Sequence, residues 1–396
     1  MSSEGTPADR RNARLYLAGL SVSLLGDSAL SLVAGIWVKQ LTGSSALAGL
    51  TQACIYLPSL LGPLAGLLAD RFPRQRLIVA VNLATSVLVG SLLLVPGIAG
   101  WWLIHVVMLG YGTALVLVDP AETALFTQML PLPLRRRVNG LRLGLQETGR
   151  LVSPLIGAGL FVVIGGAAVA ALDAATFVVA AVTTSLLRVP PEGPRPPRGV
   201  WASEVGAGFR QLRSSKPLRV VVAAATAIMA VSGVGVAAQY SLVAALGRPP
   251  AFLGVLAALL GGGSVVASLV SGPVLRRLGP VATVVAGLVA YALGTTLRAV
   301  PDVRLVVLGS VVLGFALPWV FLAALTAVQE LTPDHLQGRT SAAVTLLLFG
   351  PQAPVQALGS LLIAHLGYQA IYLGSAAAAV AILAAVLVAR RQVSAA

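Results

Sequence analysis

The chain has 396 residues, of which 57% are hydrophobic and only 10% are charged, and its mean hydropathy is +0.91. Soluble domains carry roughly 25% charged residues, so this composition excludes a water-soluble globule. A disulfide scaffold is excluded as well, because Cys54 is the single cysteine. A helix needs about 20 apolar residues to cross a bilayer, so the length suffices for about 12 membrane-spanning helices.

Twelve apolar segments are each long enough to form a span. They are predicted at 15–39, 47–69, 76–96, 101–130, 139–164, 166–187, 217–246, 250–275, 280–299, 303–331, 340–365 and 367–389. A helix satisfies its own backbone hydrogen bonds in hydrocarbon, so the sequence predicts an all-α polytopic membrane protein. The polar start leads into the first span without a small-residue cleavage site, and we expect that span to be retained.

The basic residues predict the orientation of the chain. The net charge is +14, and most of the 27 basic residues fall in the segments on one side of the predicted spans. They include Arg10, Arg14, Arg135, Arg137 and Arg142. By the positive-inside rule these segments are cytoplasmic, as are both termini. The basic excess therefore indicates membrane topology and predicts no nucleic-acid partner.

A long polar stretch at 188–216 divides the chain into two six-helix bundles, 1–187 and 217–396. Its proline-rich opening cannot lie inside a helix, whereas the part from Trp201 to Leu212 predicts a short amphipathic helix on the membrane surface.

The two halves repeat each other, since the pattern that begins at Gly66 recurs at Gly272 and the one at Leu134 recurs at Leu336. A parallel repeat of six helices is typical of a rocker-switch transporter, in which alternating access opens a cavity between the halves.

Two short motifs carry a family resemblance. The segment that follows span two resembles the loop motif Gly-x-x-x-Asp-Arg-x-Gly-Arg of the major facilitator superfamily. The matching residues are Gly66, Asp70, Arg71 and Arg74, while Pro73 and Gln75 depart from the pattern. Span five carries a segment that resembles the Gly-Pro-x-x-Gly-Gly motif of antiporters. That segment comprises Gly149, Ser153, Pro154, Gly157 and Gly159.

The surroundings of Asp119-Pro120-Ala121 and of Asp173 resemble the branch of that superfamily that includes macrolide efflux proteins and the enterobactin exporter. The resemblance implies that Asp70 faces the start of the eleventh helix and gates the transporter. The alternative is that the neighbouring arginines are only cytoplasmic anchors. The small residues of span five predict close helix packing, with Pro154 bending the backbone.

Charged residues inside the spans are the strongest pointers to chemistry. A charge at mid-bilayer costs about 2.5–3.5 kcal/mol and therefore needs a partner, water or a function. Helix rise places Asp27, Asp119, Glu147 and Arg150 at a common depth of roughly 12–18 Å. Glu147 and Arg150 lie three residues apart and are expected to form an ion pair. Asp119 shares a helix face with Glu122, so repulsion and burial favour a proton on at least one of them.

Asp27 has no sequence-local partner, and it is the first choice for a proton site, with Asp119 second. The alternative for Asp27 is a hydrogen bond to nearby serine or threonine, and for Asp119 it is a role at the backbone kink of Pro120. Asp173 is expected toward the outer side, as a structural residue.

The resemblance places helices one, four, seven and ten around the pathway. Predicted substrate-cavity residues on them are Tyr111, Gln239, Tyr240, Phe315, Trp319 and Phe321. Aromatic rings with few polar neighbours suit a bulky amphipathic solute, although each ring could instead serve packing.

No phosphate loop, metal-ligating cluster or nucleophile–base pair is found in the sequence, so we expect no enzyme activity, no cofactor and no metal. The sequence predicts a secondary transporter that exports a hydrophobic or amphipathic small molecule by proton antiport. Its expected partners are membrane lipid, the substrate and protons, and we expect a monomer in a bacterial inner membrane. The alternatives are uptake or facilitated flux of a metabolite or lysophospholipid, and a channel or non-transporting receptor.

Overall fold

The computed structural model describes residues 6–61, 72–95, 97–190 and 201–394, and all regular structure within them is helical. The α-helices up to residue 190 are α1 Pro7–Thr42, α2 Ser45–Tyr56, α3 Arg74–Gly90, α4 Trp101–Met129 and α5 Leu132–Ser185. Short 3-10 segments lie at Leu57–Leu61, Ser91–Leu94 and Gly97–Gly100. The predicted all-α fold is confirmed.

Eight further helices are described from residue 201 onward. They are α6 Trp201–Ser214, α7 Lys216–Val234, α8 Ala238–Ala245, α9 Phe252–Ala299, α10 Val303–Leu331, α11 Asp334–Phe349, α12 Gln352–Leu362 and α13 Tyr368–Ser394. The described residues contain nine helices long and apolar enough to cross a membrane. Span two is described only as far as residue 61, and the rest of that predicted span lies outside the described residues.

Two glycines explain why nine helices can hold more than nine spans. Gly165 in α5 has φ 78° and ψ 171°, and Gly279 in α9 has φ 75° and ψ 170°. A side chain other than hydrogen strongly disfavours this backbone conformation. Each glycine divides its helix into two arms, at 132–164 and 166–185 in α5 and at 252–278 and 280–299 in α9. The predicted breaks between spans five and six and between spans eight and nine fall at these places.

Helix α1 runs parallel to the first arm of α5. The Ser153 Oγ donates to the Leu24 carbonyl at 3.5 Å, and farther along both helices Gly157 packs on Ala29. A methyl group added to Gly157 would lie 2.8 Å from the Ala29 Cα, so the absence of a side chain lets the two helices approach. The two helices therefore begin at the same side of the unit.

The second arm of α5 runs antiparallel to α1. Gly26 packs on Asp173, whereas Asn12, near the start of α1, meets Arg188 at the far end of the arm. The Asn12 Nδ2 donates to the Arg188 carbonyl at 2.8 Å, and its Oδ1 accepts from the Arg188 backbone N–H at 3.0 Å. From α3, the Gln75 Nε2 donates to the carbonyls of Thr184, Ser185 and Leu187, where the second arm ends.

The chain divides into two compact units, 1–195 with 250–258 and 196–249 with 259–396. The second unit has an apolar core built on α7, α9, α10, α11 and α13. The predicted amphipathic helix is present as α6 and belongs to this unit. One face of α6 packs on protein, because Gly208 contacts the Arg339 backbone on α11 and Leu212 is only 5% exposed in the core. Its position at the membrane surface stays a prediction.

Candidate functional site

A cavity of about 190 Å³ lies within the first unit among α1, α3, α4 and α5. Three of the acids singled out in the sequence, Asp27, Asp119 and Glu122, line this single space together with Arg142 and Tyr111. Much of the remaining wall is apolar, with Leu20, Leu24, Ile78, Ala114, Leu115, Val118, Leu125, Phe126, Met129 and Phe177. The cavity therefore combines a few charged groups with a mostly apolar lining.

Asp27 lies near the middle of α1. Its Oδ2 accepts a hydrogen bond from the Ser23 Oγ at 3.1 Å, one helical turn earlier. Its Oδ1 is buried and has no hydrogen-bond partner among the described residues, although Tyr111 of α4 faces the carboxyl group. The serine that the sequence offered as an alternative explanation for Asp27 thus satisfies only one of its two oxygens. The other oxygen is left for a proton or for a cationic group.

Asp119 and Glu122 share a cationic neighbour. The Arg142 Nη2 lies 3.7 Å from the Asp119 Oδ1, and Glu122 faces both Arg142 and Tyr16. The Asp119 side chain is 79% exposed, whereas that of Arg142 is 14% exposed, and the Arg142 Nε is buried with no acceptor among the described residues. The pair therefore joins an accessible carboxylate to a largely buried guanidinium.

Arg142, which the sequence groups with the basic residues of the cytoplasmic side, lines the cavity. Helix α5 begins at Leu132, well before the predicted start of span five, and carries Arg142 about 15 Å along its axis. At that depth the side chain points into the cavity. The signal in the sequence was its separation from the arginine run at 135–137, since four uncharged residues lie between that run and Arg142.

Asp173 also lies near this site, beside Asp27. It is 2% exposed and packs on Gly26, the residue before Asp27, so the antiparallel arm brings the two acids close together. The Thr176 Oγ1 donates to the Asp173 Oδ1 at 3.2 Å, while the Oδ2 is buried with no partner among the described residues. The Tyr111 hydroxyl interacts electrostatically with the carboxyl groups of both Asp27 and Asp173.

The charges of this site do not balance. Asp27, Asp119 and Glu122 supply three carboxyl groups around one guanidinium, so full ionisation leaves an excess of negative charge in a largely apolar space. Such an excess is costly away from water and favours a bound cation, which includes a proton. Among the described residues, no three His, Cys, Asp or Glu side chains are grouped so that they could hold a metal ion.

Only part of the predicted gating motif can be placed. Gly66, Asp70 and Arg71 lie outside the described residues. Arg74 begins α3, and its Nη1 donates to the Gln128 Oε1 at 3.3 Å near the end of α4. The gating role stays a prediction.

The ion pair of Glu147 and Arg150 also stays a prediction, because their side chains are not among those the structure describes.

The motif in span five forms a packing surface. Ser153 is fully buried against α1, and Gly157 makes the contact with Ala29 described above. Gly149 has only ordinary van der Waals neighbours, and Gly159 faces open space. Pro154 lies inside the helix. The expected close packing is therefore present, but it is concentrated at two of the five residues.

The predicted substrate-cavity residues of α10 are engaged within the second unit. The Trp319 Nε1 donates to the Ala267 carbonyl at 3.2 Å, and its ring meets Phe315 edge-on at 5.7 Å. Phe321 meets Phe349 of α11 at 5.9 Å between ring centroids. These contacts show packing partners, and substrate contact by the three rings stays a prediction.

The other predicted substrate-cavity residues differ in burial. Tyr111 lines the cavity of the first unit, where it faces Asp27. Tyr240 of α8 is 2% exposed, and its buried hydroxyl has no hydrogen-bond partner among the described residues. Gln239 beside it is half-buried. The role of Gln239 and Tyr240 in substrate binding stays a prediction.

Comparison with known proteins agrees with this architecture. The chain resembles macrolide efflux protein A of Streptococcus pyogenes, with 26% identity over 220 residues, which is 54% of this chain and 54% of the relative. The same protein from the serotype M6 strain of that species matches equally well. The chain thus spans about half the length of the curated relatives it matches.

Solved transporter structures share the fold over nearly the whole chain. A mutant form of the nucleoside transporter NupG matches with a TM-score of 0.78 and 13% identity, covering 96% of this chain and 99% of that one. A bacterial homologue of the lysosomal transporter Spinster, inward-facing and occupied, matches with a TM-score of 0.70 and 15% identity over 98% of each chain. A bacterial homologue of ferroportin, inward-facing, gives 0.71 and 14%, covering 96% of this chain and 98% of that one.

These matches fit the predicted layout of twelve spans in two six-helix bundles. The sequence model of the Major Facilitator Superfamily matches residues 16–236 and 220–395, which together cover almost the entire chain. The chain therefore belongs to the Major Facilitator Superfamily of membrane transporters.

Proposed function

We propose that this transporter exports a hydrophobic or amphipathic small molecule in exchange for protons, and that Asp27 is the residue that binds the proton. The observation that carries the proposal is the cavity of the first unit, in which the Asp27 Oδ1 is buried without a hydrogen-bond partner among the described residues. A buried carboxylate oxygen with no donor is costly, and a proton removes that cost by neutralising the group.

The neighbouring charges suit competition between a proton and a substrate. Arg142 neutralises one of the two negative charges of Asp119 and Glu122. The carboxylate of Asp27 has no cationic neighbour among the described residues. A proton on Asp27, or the cationic or polar end of a bound solute, would each compensate that charge. Competition of this kind couples the two binding events, because one ligand leaves when the other enters.

The lining supports the proposed substrate class. The wall around the carboxyl groups is mostly aliphatic and aromatic, which suits an apolar body with a polar or cationic end. The similarity to macrolide efflux protein A supports export of a drug-like solute by this chain. The likeness to nucleoside transporter NupG is a likeness of fold, so metabolite flux is the competing outcome of the test.

The test uses purified protein in liposomes with an imposed pH gradient and two probes, a macrolide antibiotic and the cationic dye ethidium. We expect probe accumulation driven by the gradient and lost when an ionophore collapses it. Asp27→Asn should abolish gradient-driven accumulation because the amide cannot exchange a proton. Glu330→Gln, at an exposed end of α10, is the matched control and should transport like the natural protein.

Two results would count against the proposal. Proton antiport would be contradicted if either probe moved at the same rate with and without the gradient, and at the same rate in the Asp27→Asn variant. Downhill uptake of a nucleoside or lysophospholipid, with no movement of the drug probes, would instead favour the competing function of metabolite flux.

The orientation is part of the same proposal. The arginine-rich starts of α1 and α5 lie on the same side of the first unit, and the positive-inside rule assigns that side to the cytoplasm. Fusions of green fluorescent protein and of alkaline phosphatase to the C-terminus should give fluorescence and no phosphatase activity. The opposite pattern would reverse the direction of transport that we propose.

A further inference from the structure

A second cavity, of about 430 Å³, lies where the first turns of α1 meet the first turns of α5. We refer to it as the arginine groove. Its lining includes three cationic residues, Arg10, Arg14 and Arg137, and three leucines, Leu17, Leu134 and Leu141. None of these residues lines the cavity that holds Asp27. The groove is therefore a separate feature of the first unit.

The arginines and leucines are arranged in two layers. On α1, Arg10, Arg14 and Leu17 are spaced by four and three residues, which places them on one helix face. On α5, Arg137 and Leu141 are four residues apart on one face. Because α1 and this arm of α5 are parallel, Leu17 and Leu141 lie about 5–10 Å deeper than the arginines, whereas Leu134 lies near the mouth. The groove thus has a cationic mouth and an apolar floor.

Two arginines of the mouth, Arg14 and Arg137, carry charge that the described residues do not neutralise. All three arginine side chains are exposed. No acidic side chain is among the described residues that line the groove, and Arg14 and Arg137 make no salt bridge or hydrogen bond within the described part of the chain. Leu141 is 51% exposed, so the apolar floor is accessible as well. A ligand that fits both layers must be anionic at one end and apolar at the other.

We propose that the arginine groove binds an anionic phospholipid from the leaflet at the arginine-bearing side of the membrane. Its head-group phosphate would lie at Arg14 and Arg137, and its acyl chains would run along Leu17 and Leu141. Basic pockets between transmembrane helices on the cytoplasmic side bind anionic lipid head groups. A soluble anion would leave the leucines uncovered, and a zwitterionic lipid would bring no net charge to three arginines.

The test measures the unfolding temperature of the full-length protein in detergent as dioleoylphosphatidylglycerol is added. Parallel titrations use dioleoylphosphatidylcholine and inorganic phosphate. The variant Arg14→Gln with Arg137→Gln removes two charges from the mouth of the groove. Each arginine near an anionic lipid contributes about fivefold in affinity, so we expect this variant to need about 25-fold more phosphatidylglycerol for the same shift.

Two further variants keep the test decisive. Arg276→Gln with Arg277→Gln removes two exposed charges from α9 and should respond to phosphatidylglycerol like the natural protein. Arg14→Lys with Arg137→Lys keeps the charge and should retain the stabilisation, which guards against a glutamine variant that fails to fold.

An unchanged response of the glutamine groove variant, a lost response of the lysine variant, or an equal effect of phosphatidylcholine or free phosphate would each overturn the proposal. The assay needs no transport, so its outcome is independent of the proposed function.

Discussion

The same substitution, glycine to alanine, is expected to have opposite effects at two glycines of the span-five motif. A methyl group on Gly157 would lie 2.8 Å from both the Cα and the Cβ of Ala29 and 3.1 Å from its carbonyl oxygen. A methyl group on Gly159 would meet nothing within 4 Å. Gly157→Ala must therefore push α1 away from α5, whereas Gly159→Ala is accommodated without movement.

The magnitude follows from the difference between the two sites. Both substitutions gain up to about 1 kcal/mol of helix propensity, and this gain cancels when the variants are compared. Overpacking a well-packed contact costs about 1–3 kcal/mol, so Gly157→Ala should be less stable than Gly159→Ala by about that amount. Because Ala29 lies half a turn from Asp27, we also expect Gly157→Ala to slow transport.

The assay is thermal unfolding in detergent with equilibrium unfolding in a denaturing surfactant, followed by transport in liposomes. The natural protein and both variants are measured together, so that membrane extraction affects all three alike. Equal unfolding free energies for the two variants would refute the close contact between Gly157 and Ala29. A Gly159→Ala variant less stable than Gly157→Ala would refute the argument from packing altogether.

Three other substitutions test the site and the closure of the first unit. Arg142→Gln leaves Asp119 without its cation, so we expect transport in the liposome assay to fall. Adding Asp119→Asn should restore transport in part. The exposed Arg277→Gln is the control and should transport like the natural protein. Gln75→Ala removes the donor to the carbonyls at 184–187 and should lower the free energy of unfolding by about 1–2 kcal/mol. Asn12→Ala removes two hydrogen bonds and should lower the free energy of unfolding by about 2 kcal/mol. An unchanged unfolding midpoint in Gln75→Ala or in Asn12→Ala would contradict the contacts of that residue.

The length of the apolar runs was enough to place most spans. The predicted break between spans five and six falls at Gly165, which adopts the conformation that only glycine takes readily. Hydropathy locates the apolar span and not the whole helix, so the helix that contains span five begins earlier than the predicted span. Helix α5 begins at Leu132 and carries its arginines on helical turns that no apolar pattern reveals.

Part of the candidate site was not identified from the sequence. Asp27, Asp119 and Glu122 could be singled out because charges are rare inside apolar segments, whereas Arg142 was grouped with the preceding arginines. Asp173 approaches Asp27 only because the second arm of α5 runs antiparallel to α1, and this pairing of distant segments leaves no local signal in a single sequence. Packing between elements, not composition, decides these two contacts.

The central claim is that Asp27 exchanges a proton against the substrate, and the most direct test is the proton count on substrate binding. Purified protein in weakly buffered detergent solution is mixed with ethidium while a pH-sensitive dye reports released protons and fluorescence reports binding. We expect the natural protein to release protons as ethidium binds, and Asp27→Asn to bind ethidium while releasing none. Equal proton release by both proteins would contradict the claim.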